Sequence, residues 1–266
     1  MKFIQNISFL IIAVLLLAGC KKDVASPIPV SYVDNNNAYV KVIYTSAYVI
    51  RDSVLIKLND VNVSNTFIGL TTTFLPTPFP GGGLNTGGSG FPYYFSVKPG
   101  DTKVFVSVPK KLTTVDSIIR FSGNVNLQAG RYYSVYITDT LLTAKSVLVE
   151  ENMADVADGL SRYKFVNLIP NLPAIDLYFD TIKVASNVAY ATVSPEFTLP
   201  YKATGQFRIR PAGALISTAP FATYPGTVTA PGTYTVPNRR VMTVFAKGYS
   251  GGTVARTPTI SLLFNK

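Results

Sequence analysis

The sequence predicts an all-β protein: two tandem immunoglobulin-like antiparallel β-sandwich domains behind a signal peptide and a flexible tether. Three observations predict it. Short runs of Val, Ile, Tyr, Phe and Thr recur, as in "TKVFVSV" and "RYYSVYIT", with Gly, Pro, Asn and Asp between them. No stretch after the N-terminal segment shows an apolar period of 3.6 residues, and the best helical candidate, "ENMADVADGL", stops at Gly159. The order of strand-like elements also repeats once along the chain.

The N-terminal segment comes first. Lys2 precedes Phe9 to Ala18, an uncharged, apolar run. A bilayer crossing needs about 20 apolar residues, so this run is too short to span and fits the core of a signal peptide. Leu17, Ala18 and Gly19 stand directly before Cys20, the only cysteine. This tetrad resembles the bacterial lipobox. The resemblance implies a signal peptide over 1–19, palmitate-type acylation at Cys20, and a membrane-tethered mature protein. Lys21 in the next position points to the outer membrane and leaves its periplasmic or surface face open. With one cysteine, no intrachain disulfide is available. Residues 20–37 are rich in Ser, Pro and Asn and read as a tether.

The two predicted domains follow. "YVKVIYTSAYVIRDSVLIKLNDVNVSN" from Tyr39 aligns with "YKFVNLIPNLPAIDLYFDTIKVASN" from Tyr163. Each has strand, loop, strand, an aspartate at the turn (Asp60, Asp180) and Ser-Asn. Later, Gly130 falls opposite Gly232. The boundaries are 38–150 for the first sandwich, 151–160 for a linker and 161–266 for the second. Each length suffices for one core. The first carries an insertion, 76–92, in which 10 of 17 residues are Pro or Gly. It reads as a surface loop, and Phe79, Leu84 and Phe91 are its candidate contact residues.

The second half carries a family pattern. Pro173, Ala174, Ile175, Asp176, Leu177, Tyr178, Phe179 and Asp180 form a hairpin signature, and Leu199 and Pro200 begin a later strand. This resembles the bacterial domain-of-unknown-function family numbered 4397, found on secreted and lipid-anchored proteins. Departures are Thr181 where the family has a turn glycine, and Val166 to Ile169 where it has Val-His-Ala-Ser. The resemblance implies a β-sandwich module and brings no catalytic residues.

The chemistry is bounded by what is missing. There is no histidine, so no Ser-His-Asp arrangement and no imidazole base or zinc ligand. Neither a catalytic site, a metal nor a cofactor is expected, and the protein is read as non-enzymatic. Asp176 and Asp180 share a strand face by spacing; the simpler reading puts Asp176 on a wet face and Asp180 in a turn. "DVADG" at 155–159 has only part of a calcium loop. Tyr93, Tyr94, Tyr132, Tyr133 and Tyr136 offer rings for sugar stacking. Residues 161–266 hold 11 Lys and Arg against Asp176, Asp180 and Glu196. Arg208, Arg210, Arg239 and Arg240 are therefore the candidate polyanion contacts, with both Arg208 and Arg210 facing water by alternation. The expected role is binding or display at the cell envelope, with a glycan, an envelope polysaccharide or a partner protein as target and no nucleic acid. The alternative is a structural or assembly subunit of an outer-membrane complex with no ligand of its own.

Overall fold

The computed structural model describes residues 35–46, 54–63, 94–110, 115–139, 143–252 and 256–266. The signal segment, Cys20, the tether and the 76–92 insertion with Phe79, Leu84 and Phe91 lie outside them. All regular structure among the described residues is β. The strands are β1 (Ala38–Tyr44), β2 (Leu55–Leu58), β3 (Val61–Asn62), β4 (Phe95–Val97), β5 (Gly100–Pro109), β6 (Asp116–Leu127), β7 (Tyr132–Asp139) and β8 (Ala144–Glu151). There follow β9 (Leu160–Leu168), β10 (Ala174–Phe179), β11 (Ile182–Ala189), β12 (Thr192–Val193), β13 (Phe197–Pro200), β14 (Thr204–Gly205), β15 (Phe207–Pro211), β16 (Ala222–Tyr224), β17 (Tyr234–Thr235), β18 (Val241–Lys247) and β19 (Thr259–Phe264).

These strands build four main sheets. In the N-terminal half an outer sheet runs β3-β2-β5-β6 and an inner one β4-β1-β7-β8. In the C-terminal half the outer sheet runs β11-β10-β15-β16 and the inner one β12-β9-β18-β19, with β13 also on β9. The two orders correspond position by position. Each inner sheet mixes antiparallel pairs with one parallel pair, β1 with β7 and β9 with β18.

Strand alternation sorts the side chains into three cores. Val40 and Val42 of β1, Ile56 of β2, Val104 and Val106 of β5 and Val135 of β7 fill the N-terminal sandwich. Phe165, Leu177, Phe207, Ile209 and Val244 fill the C-terminal one. The third core is a seam between the inner sheets, where Ile43, Tyr136, Val147 and Val149 meet Val166, Leu168, Phe245 and Leu263. β1 is consequently buried at all seven positions, on both faces. Residues Asn35–Lys266 form one compact unit.

Hydrogen bonds fix how the halves correspond. Tyr39 N donates to Arg131 O, as Arg162 N donates to Arg240 O; Gly130 N donates to Asn37 O, as Arg239 N donates to Leu160 O. Tyr39 therefore matches Arg162 and not Tyr163, and Gly130 matches Arg239 and not Gly232. Gly130 and Arg239 both have left-handed backbones, with φ of 71° and 56°. Asp60 and Asp180 do make the hairpin turns, with φ of 65° and 51°.

Two expectations about faces change. Asp176 is 1% exposed: its carboxylate accepts from Asn187 N and Gly213 N and pairs with Lys183 at 2.7 Å. Arg210 is 5% exposed, because the chain after β15 turns back and Thr218 O accepts from its Nε at 2.8 Å. Alternation correctly puts both on the face away from the sandwich core, but the 212–218 segment covers that face.

The seam predicts a large effect from one charge. Phe245→Asp should lower unfolding free energy by about 3–5 kcal/mol, because an unpaired carboxylate replaces a ring on Tyr136. Urea unfolding of residues 24–266 measures it; a loss below about 1 kcal/mol contradicts a closed seam.

Candidate functional site

Where the seam reaches the surface, it turns polar. Lys41 sits at the middle of β1, on the seam face, with two apolar neighbours. It is 2% exposed, so its ammonium must find partners inside. It crosses to the last residues of the other half, donating to Phe264 O at 2.9 Å and to Asn265 Oδ1 at 2.6 Å. The Tyr94 ring lies 4.4 Å away. By the hydrogen-bond correspondence Lys41 matches Lys164 of β9, and Asn265 matches Glu151. Lys164 makes the reverse crossing: it donates to Glu150 O and stands 3.9 Å from Glu151 Oε2. Each inner sheet thus sends one lysine to the final strand of the other.

Glu151 anchors this exchange. It is 4% exposed. Its Oε1 accepts from Ser134 Oγ at 2.7 Å and from Thr243 Oγ1 at 3.3 Å, and those two residues are themselves a matched pair. Asn265 Nδ2 donates to Thr243 Oγ1 at 2.9 Å. Burial pushes the Glu151 carboxyl up, while Lys41 and Lys164 pull it down. Burial pushes Lys41 down to about 7, against the pull of Glu151. Both charged groups are therefore held at a desolvation cost, offset in part by each other.

Two hollows open above these crossings. One, of about 620 Å³, is lined by Arg131, Tyr132, Glu150, Glu151, Met153 and Lys164, among others. The second, of about 420 Å³, is lined by Tyr94, Tyr132, Met153, Asn265 and Lys266. They share Tyr132 and Met153 and so form one two-lobed cleft, each lobe over one lysine crossing. Tyr39 stacks on Tyr132 with centroids 4.6 Å apart and planes at 15°, and Tyr94 meets it edge-on at 5.1 Å. The half-buried Tyr132 ring is thereby held in one orientation. The wall at Met153 is tied down as well: Arg162 donates to Asn152 O and Ala154 O, and Lys266 to Met153 O and Asp155.

Sequence reasoning reached part of this. Of the five tyrosines named for stacking, Tyr132 and Tyr94 line the cleft. Tyr133 lies in the N-terminal core, Tyr136 lies in the seam, and Tyr93 is outside the described residues. Lys41, Glu151, Lys164 and Asn265 were missed. Their signal was a lysine at a matched place in each half's first strand, which a one-residue shift in the alignment hid.

The arginines divide. Arg208 and Arg210 stand on β15 of the outer sheet, where Arg208 donates to Gln206 Oε1 and Asp180 O and Arg210 lies 5.1 Å from the Tyr178 ring. Arg239 and Arg240 lead into β18 of the inner sheet, with Arg240 over Phe264 at 5.4 Å. Asp155 and Asp158 of the partial calcium loop are engaged by Lys266 and Asn238. Among the described residues no three carboxylates gather as metal ligands.

Residues 87–178 match the family model described as Domain of unknown function (DUF4397). The matched span overlaps the hairpin signature only at its C-terminal end. It holds β4 to β8 together with β9 and β10, which take the sheet positions of β1 and β2 in the other half. No curated protein matches the chain. Among solved structures, it is similar to CBMbc (family CBM26) from Eubacterium rectale Amy13K in complex with maltoheptaose. That likeness has 9% identity over 83% of this chain and 95% of that chain, with a TM-score of 0.22. It is also similar to a leucine-rich repeat protein from Bacteroides thetaiotaomicron VPI-5482, with 13% identity over 78% of this chain and a TM-score of 0.21. The likeness covers 26% of that protein's chain. At this overlap the backbones differ over most of their course, and nothing of what either protein binds transfers.

Lys41 sets a pH test. Its ordinary value is 10.5 and its folded value about 7. Between them the unfolded chain holds more protons, so raising pH favours the fold. From pH 7 to 9 the native protein should gain on the order of 2 kcal/mol over Lys41→Met in urea unfolding. A constant difference across that range would show that Lys41 does not release its proton there.

Proposed function

We propose that this chain is a non-enzymatic, lipid-anchored protein of the outer membrane whose two tandem β-sandwich repeats bind a glycan in the cleft at their seam. The observation that carries the binding is the fixed Tyr132 ring between two lobes. A sugar ring stacks its C–H face on an aromatic plane, and its hydroxyls need donors and acceptors around the rim. Tyr132 supplies the plane, and the Tyr94 ring, set at 87° to it, forms a side wall. Glu150, Asn152 and Lys164 supply the polar rim of one lobe, and Lys266 that of the other. Both lobes are immobilised by bonds within the protein, so little side-chain order is lost on binding. The correspondence of the sheet orders supports the tandem reading, and the Leu-Ala-Gly-Cys sequence at 17–20 supports the anchor.

Two measurements test this reading. In a glycan and envelope-polysaccharide screen, soluble residues 24–266 should retain at least one ligand, and Tyr132→Ala should weaken it by about tenfold or more. Unchanged affinity in Tyr132→Ala places binding elsewhere. Separately, Cys20→Ala should abolish fatty-acid labelling of the full chain in cells and release it from the membrane fraction; labelling that persists excludes Cys20 as the acceptor.

A further inference from the structure

The larger lobe of the cleft holds one oxygen that accepts nothing. Glu151 lines this lobe with its side chain 1% exposed. Its Oε1 takes the hydroxyls of Ser134 and Thr243, but Oε2 is buried and, among the described residues, accepts no hydrogen bond. The Lys164 ammonium stands 3.9 Å from it, beyond hydrogen-bond reach. A buried carboxylate oxygen without a donor costs free energy, and native structures rarely leave one so. Glu151 is also directly opposite Tyr132 across β7 and β8, so both side chains leave on one face, with Cβ atoms about 5 Å apart. The charges around the two lobes are already matched. Arg131 is 3.3 Å from Glu150, Lys164 lies 3.6 Å from Glu196, and Lys266 is 2.7 Å from Asp155.

We propose that, in a cleft that binds glycan as proposed above, Glu151 Oε2 and Lys164 Nζ read one hydroxyl of an uncharged sugar, so that neutral glycans are selected over acidic ones. An oxygen about 2.8 Å from each of two atoms 3.9 Å apart lies to one side of the line between them, an allowed geometry. A hydroxyl there donates its proton to Oε2 and accepts from the ammonium, because it carries both functions. Lys164 has three protons and, among the described residues, hydrogen-bonds only Glu150 O, so one remains for the ligand. Its four-carbon stem lets the ammonium turn aside to uncover Oε2. Charged groups satisfy only one side. A carboxylate or sulfate would accept from Lys164 but set its charge against Glu150 and Glu151. A protonated amine would donate to Oε2 but set its charge against Lys164 and Arg131. An acidic sugar also finds no cation in the lobes without a carboxylate beside it.

The test compares residues 24–266 on immobilised neutral polysaccharides (dextran, galactomannan, β-glucan) and acidic ones (alginate, polygalacturonate, chondroitin sulfate). Binding at the cleft is the part lost in Tyr132→Ala. That part should be present with a neutral polymer and about tenfold or more weaker with every acidic one. Glu151→Gln keeps the shape of the side chain. Ser134 and Thr243 hold its amide oxygen, so an N–H₂ donor replaces the Oε2 acceptor. Neutral binding at the cleft should then fall by about tenfold or more. Because Glu151 is buried, this variant is read only where its melting transition stays cooperative; the neutral–acidic comparison uses the unaltered chain and stands without it. An acidic polymer held at the cleft as tightly as the neutral ones, or a folded Glu151→Gln with unchanged neutral binding, overturns the proposal while leaving the cleft a glycan site. Retention of no polymer, or equal retention by Tyr132→Ala, removes the cleft as a glycan site and the proposal with it.

Discussion

The requirement that shapes this molecule is burial of the central strands of the inner sheets on both faces, as in β1. One face of each is covered by its own outer sheet and the other by the inner sheet of the opposite half. Sheets packed face to face stand about 10 Å apart, so side chains on the shared face must interdigitate. Large groups therefore alternate across it, with Tyr136 against Phe245 and Val149 and Leu263 at matching positions. Polar groups on that face must be answered within the protein, because water is excluded; some find partners in their own half, as Ser134 does in Glu151, and the lysines find theirs across the seam. Lys41 finds Phe264 O and Asn265, and Lys164 finds Glu150 O and Glu151, only when the two sheets lie in one relative placement. A buried ion pair adds little net stability, but losing one partner costs several kcal/mol. Its plainest consequence here is to penalise slipped arrangements of two otherwise greasy surfaces.

The same requirement explains which features the sequence displayed. Strand existence was legible, because β-branched and aromatic runs such as "TKVFVSV" bounded by turn residues became β5 and its neighbours. The turns at Asp60 and Asp180 were legible because short polar side chains tolerate left-handed backbone. What alternation does not reveal is whether a strand's second face is wet or covered. "AYVKVIY" has a lysine between valines and reads as half-exposed, yet all seven residues are buried. "FRIRP" gave the sides of Arg208 and Arg210 correctly, and the covering of Arg210 by the turn at Thr218 is a contact no local pattern carries.

Register is where sequence comparison failed most tellingly. Matching Tyr39 with Tyr163 is the natural choice by eye, since it pairs identical residues. It is wrong by one position, and in a strand one position exchanges the two faces. Under that alignment Lys41 matches Phe165, a residue of the C-terminal core, and the lysine pair vanishes. Under the register set by the hydrogen bonds, Lys41 matches Lys164 and Ser134 matches Thr243. The cleft was invisible for this reason: its two lobes are equivalent places in the two halves, recognisable only once the faces are correctly assigned.

The equivalence is broken at the polar partner of each lysine, Glu151 against Asn265, and in the lining, where Tyr132 matches Val241 and Glu150 matches Phe264; these differences give the cleft its polarity. Two carboxylates would have placed a buried anion on each crossing, and two amides would have left the buried Lys41 without a nearby negative charge, Lys164 keeping only Glu196 at 3.6 Å. One of each leaves a single carboxylate close to both ammonium groups. It also leaves Lys41 with neutral direct acceptors, while burial pushes its ammonium down to about 7. The lobe over Glu151 is consequently rich in charge, with Arg131, Glu150 and Lys164 around it, whereas the lobe over Asn265 is mainly the rings of Tyr94 and Tyr132. A ligand lying across Tyr132 then meets an apolar plane at one end and charged donors and acceptors at the other. Bound as proposed, a glycan would therefore have one preferred direction, which two identical lobes related by symmetry would not impose.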